Sequence, residues 1–417
     1  MNAEQTNSQN VKALATYNLL RGAAVGGFMT LLPMYMRSQG YSMKNIGGIV
    51  SISSIVLSLF LPLIGYLNDR HGPRRMVIAS GLLLAAAPLL AAETRSLTIL
   101  GIAYALFLLS FLSGQPARMS FLAASVPPAT LGIAIGLTTS VFSASRTAGP
   151  AIAGYIARHL GYTSAFHLIS LLALLSLALF ILLSRPVSVR RAPRNPFEAY
   201  AALLRPPKPF AAVLTLISID RAAWSLWFPL LSAHLYSAGY TEDLVGLMIT
   251  GGGVVQTLLL PVAGRLTDRA SAWKIFAASE VIGAVTALLL TNPDPAWRAV
   301  AGLALLGGSI ALWIPAYNTL IARIAGGSGS SYAAANTARS VFSAPSPYIG
   351  GRLYDAIGPW APFAASTALM IVVAIGASTL LPRYESKPRS EPVKRWVHQP
   401  ILGGVRDGSV ERSGHGG

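Results

Sequence analysis

Gly65-Tyr66-Leu67-Asn68-Asp69-Arg70-His71-Gly72-Pro73-Arg74-Arg75 closes a long apolar stretch. A near-copy, Gly264-Arg265-Leu266-Thr267-Asp268-Arg269-Ala270-Ser271-Ala272-Trp273-Lys274, closes another one 199 residues later. The same offset pairs Gly40-Tyr41 with Gly239-Tyr240, Gly47 with Gly246, Pro62 with Pro261, and Pro116-Ala117 with Pro315-Ala316. Landmarks sharing one register mark the chain as a duplication of a single apolar half. Two such halves facing each other can rock about a site between them.

Of the 417 residues, 53% are hydrophobic and only 11% charged, whereas a soluble domain carries about a quarter charged residues. Twelve apolar stretches recur along the chain, each near the ~20 residues that cross a bilayer core as a helix. Strands left open in lipid cannot satisfy their backbone groups. The expected fold is therefore an all-α membrane protein, with twelve transmembrane helices in two pseudo-symmetric six-helix bundles. Residues 1–11 form a cytoplasmic N-terminus without a signal-peptide pattern. The first bundle spans 12–184 and the second 210–382. Between them, 185–209 forms a cytoplasmic linker, bounded by Arg185-Pro186 and Arg205-Pro206-Pro207-Lys208-Pro209. An amphipathic surface helix is expected at 197–204, and 383–417 reads as a flexible basic cytoplasmic tail.

The net charge of +17 is concentrated in the linker and tail, the asymmetry that sets membrane orientation. It points to contact with an anionic cytoplasmic leaflet of the plasma membrane and away from nucleic acid. There is no cysteine, which excludes disulfides and thiolate metal sites. No nucleophile–base grouping, metal-ligand spacing or phosphate-cradling loop is present, so no enzyme activity, metal or cofactor is expected. A small-molecule substrate and a monomeric chain are.

The loop Gly65-x-Leu67-x-Asp69-Arg70-x-Gly72-x-Arg74-Arg75 resembles the signature of the major facilitator superfamily, and Gly264-x-Leu266-x-Asp268-Arg269 resembles its weaker second copy. The resemblance covers residues 12–382. It implies a central cavity, alternating access, and a conformational latch formed by Gly65, Asp69, Arg70, Arg74, Arg75, Gly264, Asp268 and Arg269. Asp69 is of the type that accepts hydrogen bonds at a helix start. In span five, small residues at steps of three and four, among them Gly149-Pro150 and Gly154, predict close helix packing. Gly149-Pro150 also resembles an element of proton-coupled exporters in this superfamily. The arginine that such exporters carry in span four is absent near Ser110.

Charges at bilayer depth cost several kcal/mol unless paired or wetted, which makes each a functional candidate. They are Arg21, Arg118, Arg146, Asp220, Arg221, Glu280 and Arg339. Arg21 and Asp220 are 199 residues apart and are expected to face each other across the pseudo-twofold axis. Arg21 and Arg221 resemble the paired arginines of organic-anion and organophosphate carriers in this superfamily, and the guanidinium fork suits carboxylate or phosphate. With Tyr17, Asn18, Arg146 and the aromatics Trp224, Trp227, Trp313 and Tyr317, they are the substrate-binding candidates. Asp220 is the candidate proton carrier. Glu280 is expected to pair with a basic group such as Arg339, and His234 to be solvated at a span end.

The leading expectation is a secondary active transporter of a small organic anion, coupled to protons. Export of amphipathic, drug-like compounds is the alternative. A third reading, from another class, is a sensor of the same fold that binds without translocating.

Overall fold

A computed structural model describes residues 3–187, 206, 208–325 and 329–385. The expected linker helix and the tail beyond 385 lie outside the described residues. Span one is Ala3–Ser38, two Met43–His71, three Pro73–Ala92 and four Leu97–Ser125. Spans five and six are the arms of one helix, Pro128–Leu183, broken at Gly161 (φ 85°). Both arms flank span one: beside Gly27 lie Ala153 from one and Ile169 from the other.

Span seven is Lys208–Ser225, a 3-10 turn Phe228–Leu230 and Leu231–Ser237. Spans eight to ten are Glu242–Arg269, Ala272–Thr291 and Ala296–Ala325. Span eleven comprises Gly329–Ser343 and Ser346–Ala356, and span twelve is Ala361–Leu380. Spans seven and eleven, expected as unbroken helices, are interrupted beside Pro229 and Pro345, where the helical ladder loses a donor. Among the described residues nine helices are long and apolar enough to cross a membrane. The 56-residue helix supplies two crossings, and spans two and eleven complete the twelve.

The duplication extends to single hydrogen bonds. Ser110 donates to the Ser80 carbonyl at 2.6 Å, and Ser309 donates to that of Ser279 at 2.8 Å. Ser170 donates to the Ala85 carbonyl, and Thr367 to that of Ala284. The first pair keeps the offset of 199 at both ends, but Ser170 and Thr367 are 197 apart. Spans eleven and twelve therefore follow spans five and six with two residues fewer before them. Left-handed glycines obey the same rule: Gly40 matches Gly239, and Gly161 matches Gly358.

The halves meet along two seams, two against eleven and five against eight. At Gly47 a methyl group would overlap the Pro347 carbonyl oxygen, and at its equivalent Gly246 it would overlap that of Pro150. At Gly351 it would overlap Met43 O, and at Gly154 it would overlap Glu242 O. Backbones approach this closely only where neither side chain intervenes.

All of these contacts lie on the face carrying the turns at Gly40 and Gly239, where one apolar core joins residues of both halves. On the other face, which carries Asp69 and Asp268, the cores are separate. One is built from spans one and three to six, including Leu14, Phe121 and Phe180, and the other from spans seven and nine to twelve. The molecule is thus sealed on one face and parted on the other.

Candidate functional site

Arg21, in the middle of span one, is fully buried. Its guanidinium carbon lies 5.4 Å from the centroid of Phe142 in span five. Arg118 of span four lies over the same ring at 5.6 Å and is also buried. Tyr17, one turn before Arg21, packs at a tilt against Phe180, with ring centroids 5.3 Å apart. Asn18 donates its amide to the Thr138 carbonyl at 2.9 Å. The groups around Arg21 all belong to the first half.

Asp220 is as deeply buried, in the second half. Its Oδ2 is 3.9 Å from Nη2 of Arg339 in span eleven. Arg339 lies 4.4 Å above Trp313 and 4.9 Å above Tyr317, which stack on each other in span ten. Glu280 of span nine is buried beside Asp220 and Arg339. Arg339 is shared by both carboxyls, with Asp220 holding the ion pair. Arg21 and Asp220 therefore turn inward, each into its own bundle. Their surroundings are still equivalent: Phe142 and Arg339 are 197 apart, Arg118 and Tyr317 are 199 apart. Each half places one span-one-type charge against one residue of its fifth helix and one of its fourth.

Arg221 behaves differently. It is exposed at mid-span, with Tyr104 of span four near it across the gap. Arg146 is half-buried and makes no hydrogen bond or ion pair to any described residue. These two guanidiniums are the ones left accessible where the halves part. Tyr104 carried no sequence signal beyond its place on a cavity-lining span. Trp227 is sealed in the core, donating Nε1–H to Ser366 Oγ at 3.0 Å, and Trp224 packs against Gly283 of span nine. His234 is buried and not solvated: its ring bonds the Tyr354 hydroxyl at 3.0 Å and the Leu290 carbonyl at 2.9 Å.

At the parted face, Arg74 donates to Ser184 Oγ and the Ile181 carbonyl, which ties span three to the end of span six. Arg70 reaches the Tyr66 hydroxyl, while Arg75, Asp268 and Arg269 are exposed. Asp69 accepts no hydrogen bond from a described residue, and span three starts at Gly72 without a side-chain cap. The start of span nine is instead held by Glu385, which accepts from Ala272 N and Trp273 N and pairs with Arg323. Space around Gly264 is open, and the neighbourhood of Gly65 is outside the description. In span five, Gly149 packs against the Ala23 carbonyl of span one, and Pro150 and Gly154 lie in the seam with span eight.

The Major Facilitator Superfamily model matches residues 14–347 and 213–406. Multi-drug resistance efflux pump PmrA of Streptococcus pneumoniae serotype 4 is 25% identical over 74% of this chain and 79% of its own length. Multidrug resistance protein MdtG of Salmonella arizonae is 26% identical over 85% of this chain and 91% of its own. Among solved structures, a mutant of nucleoside transporter NupG superposes with a TM-score of 0.74 at 13% identity, covering 89% of this chain and 99% of that one. A POT family peptide transporter superposes with a TM-score of 0.70, also at 13% identity, covering 92% and 98%. The chain belongs to the major facilitator superfamily: it is a secondary transporter that crosses the membrane many times and carries a small molecule.

Proposed function

We propose that this transporter exports amphipathic compounds in exchange for protons, favouring compounds that carry an acidic group. Resemblance to the two multidrug proteins supports export of drug-like molecules over uptake of a small organic anion. The observation behind the acid preference is the division of charge at mid-depth. The accessible groups are Arg221 and Arg146, whereas the two mid-span carboxyls, Asp220 and Glu280, are sealed behind span seven. At mid-depth a lipophilic cation meets the like charge of Arg221 and Arg146, while an acid finds guanidinium donors beside Tyr104. The arginine-rich parted face is the cytoplasmic one on this reading, because positive loops stay inside.

Asp220 is the proton carrier. Protonating it removes the charge that holds Arg339, so loading the proton frees a guanidinium lying over Trp313 and Tyr317. Proteoliposomes with an imposed pH gradient test both parts. Wild type is expected to move acidic dyes faster than lipophilic cations. Arg221→Gln should raise KM for acids about 10-fold with kcat little changed, the loss of roughly one charge-assisted hydrogen bond. Asp220→Asn should leave counterflow intact but abolish its response to the gradient. Unchanged gradient-driven export by Asp220→Asn would remove the proton role. Equal handling of cations by wild type would remove the acid preference.

A further inference from the structure

Arg21 and Arg118 present a charge problem that the transport cycle does not use. Both are buried, and Nε, Nη1 and Nη2 of Arg21 and Nη1 of Arg118 have no hydrogen-bond partner. The Tyr17 hydroxyl is buried too, near enough to act on Arg21 but within hydrogen-bond geometry of no group. Among the described residues no carboxylate pairs with either guanidinium. The acidic residues of the first 184 positions are Glu4, Asp69 and Glu93, all near span ends. The hydroxyls nearest by are committed elsewhere: Ser80 donates to the Val77 carbonyl and Ser110 to that of Ser80. Two guanidiniums beside the one ring of Phe142 repel each other, and that ring offsets only part of the cost of burying them.

The neighbouring backbone is also pared away. A methyl group on Gly114 would press on Arg118 Nη1 at 2.8 Å, and one on Gly81 would touch the Tyr17 hydroxyl at 3.4 Å. Spans three and four thus place glycines where these donors point, with Ser80 beside Gly114.

We propose that Arg21, Arg118 and the Tyr17 hydroxyl form a binding site for a small monovalent anion inside the first six-helix bundle, separate from the gap lined by Arg221 and Arg146. The guanidiniums offer donors only and the phenol has one O–H to donate, which fits a halide or the head of a carboxylate. Closure around the site limits the ligand: Arg21 is 0% and Arg118 5% exposed, so only the anionic group itself enters and anything attached to it stays at the mouth beside Arg118. Residual exposure at Arg118 marks the way in. The bound anion neutralises the bundle core and locks spans one, four and five together. The site stands whether or not the chain exports acids.

Thermal unfolding of the purified full chain tests it, with bromide or benzoate replacing gluconate at constant ionic strength. A ligand that binds only the folded state raises the midpoint in a saturable way. Bromide alone raising the midpoint identifies a free inorganic ion, and benzoate alone identifies the head of an organic acid. Either response is expected to vanish in Arg118→Met, to weaken in Arg118→Lys, and to persist in Arg221→Gln. If Arg118→Met does not fold, an anomalous bromide peak between Arg21 and Arg118 in wild-type crystals serves the same purpose. Equal midpoints in all three anions would overturn the proposal, as would a response lost in Arg221→Gln and kept in Arg118→Met.

Discussion

Arg339 is the residue on which the second bundle's charge balance turns. It is the guanidinium facing both buried carboxyls. Removing one partner of a buried ion pair leaves an uncompensated charge and costs about 3–5 kcal/mol. Arg339→Met is therefore expected to lower the unfolding midpoint sharply, and Asp220→Asn/Arg339→Met to recover most of the loss. A double mutant no more stable than Arg339→Met would show that the pair is not the source. The depth of these charges was legible in the sequence, because a charge in the middle of an apolar stretch has nowhere else to go. Their direction around the helix was not. Arg21 and Asp220 have equivalent positions, but equivalence across a twofold axis permits facing the axis or turning from it. The partners that decide the matter, Phe142 and Arg339, become equivalent only at an offset of 197, which the 199-residue landmarks conceal.

At the scale of elements, glycines set the seams. Gly246 lies against Pro150 and Gly47 against Pro347, with no room for a β-carbon. Polar groups fasten the same seams. Asp355 accepts from Met43 N and Lys44 N at the start of span two, the Ala151 amide donates to Thr250 Oγ1, and the Tyr348 amide donates to Ser51 Oγ. Gly246→Val forces the backbones of spans five and eight apart, and overpacking of this kind costs about 1–3 kcal/mol. Because it acts on one conformation, the expected result is a shift of population toward the state open on the Gly40 face. Higher labelling of a single cysteine at Ser51, buried in the companion seam on that face, checks it in a chain with no native cysteine. Labelling equal to that of the parent Ser51→Cys protein would show that the seam is not held by this contact. The seam glycines were visible in the sequence as repeated landmarks. Breaks in spans seven and eleven were not, since proline within an apolar stretch also fits an unbroken, kinked helix.

For the whole molecule, the paired seams define what the opposite state must look like. Along spans five and eight, Gly154 faces Glu242, Pro150 faces Gly246, and Thr147 faces Thr250. The helices run antiparallel, so each turn back along span five is one turn forward along span eight. Continuing in that register to the parted face brings Gly132 opposite Gly264. Neither has any atom within 4 Å of where its β-carbon would be. In the other seam the same continuation pairs Gly65 with Gly329 by sequence. Gly132 and Gly264 are unneeded by the present conformation, and glycine in a helix interior costs about 1 kcal/mol relative to alanine. They are spared side chains for an approach that happens when this face closes and the other opens. Gly132→Val/Gly264→Val is therefore expected to unfold no earlier than wild type, because open space receives the added groups, yet to lose transport by at least 10-fold. Cysteines at the same two positions should form a disulfide during turnover and not in Gly132→Cys/Gly264→Cys protein held parted by a ligand. Full transport by the divaline variant would mean that the face closes through other contacts, and the glycine register would then reflect ancestry alone.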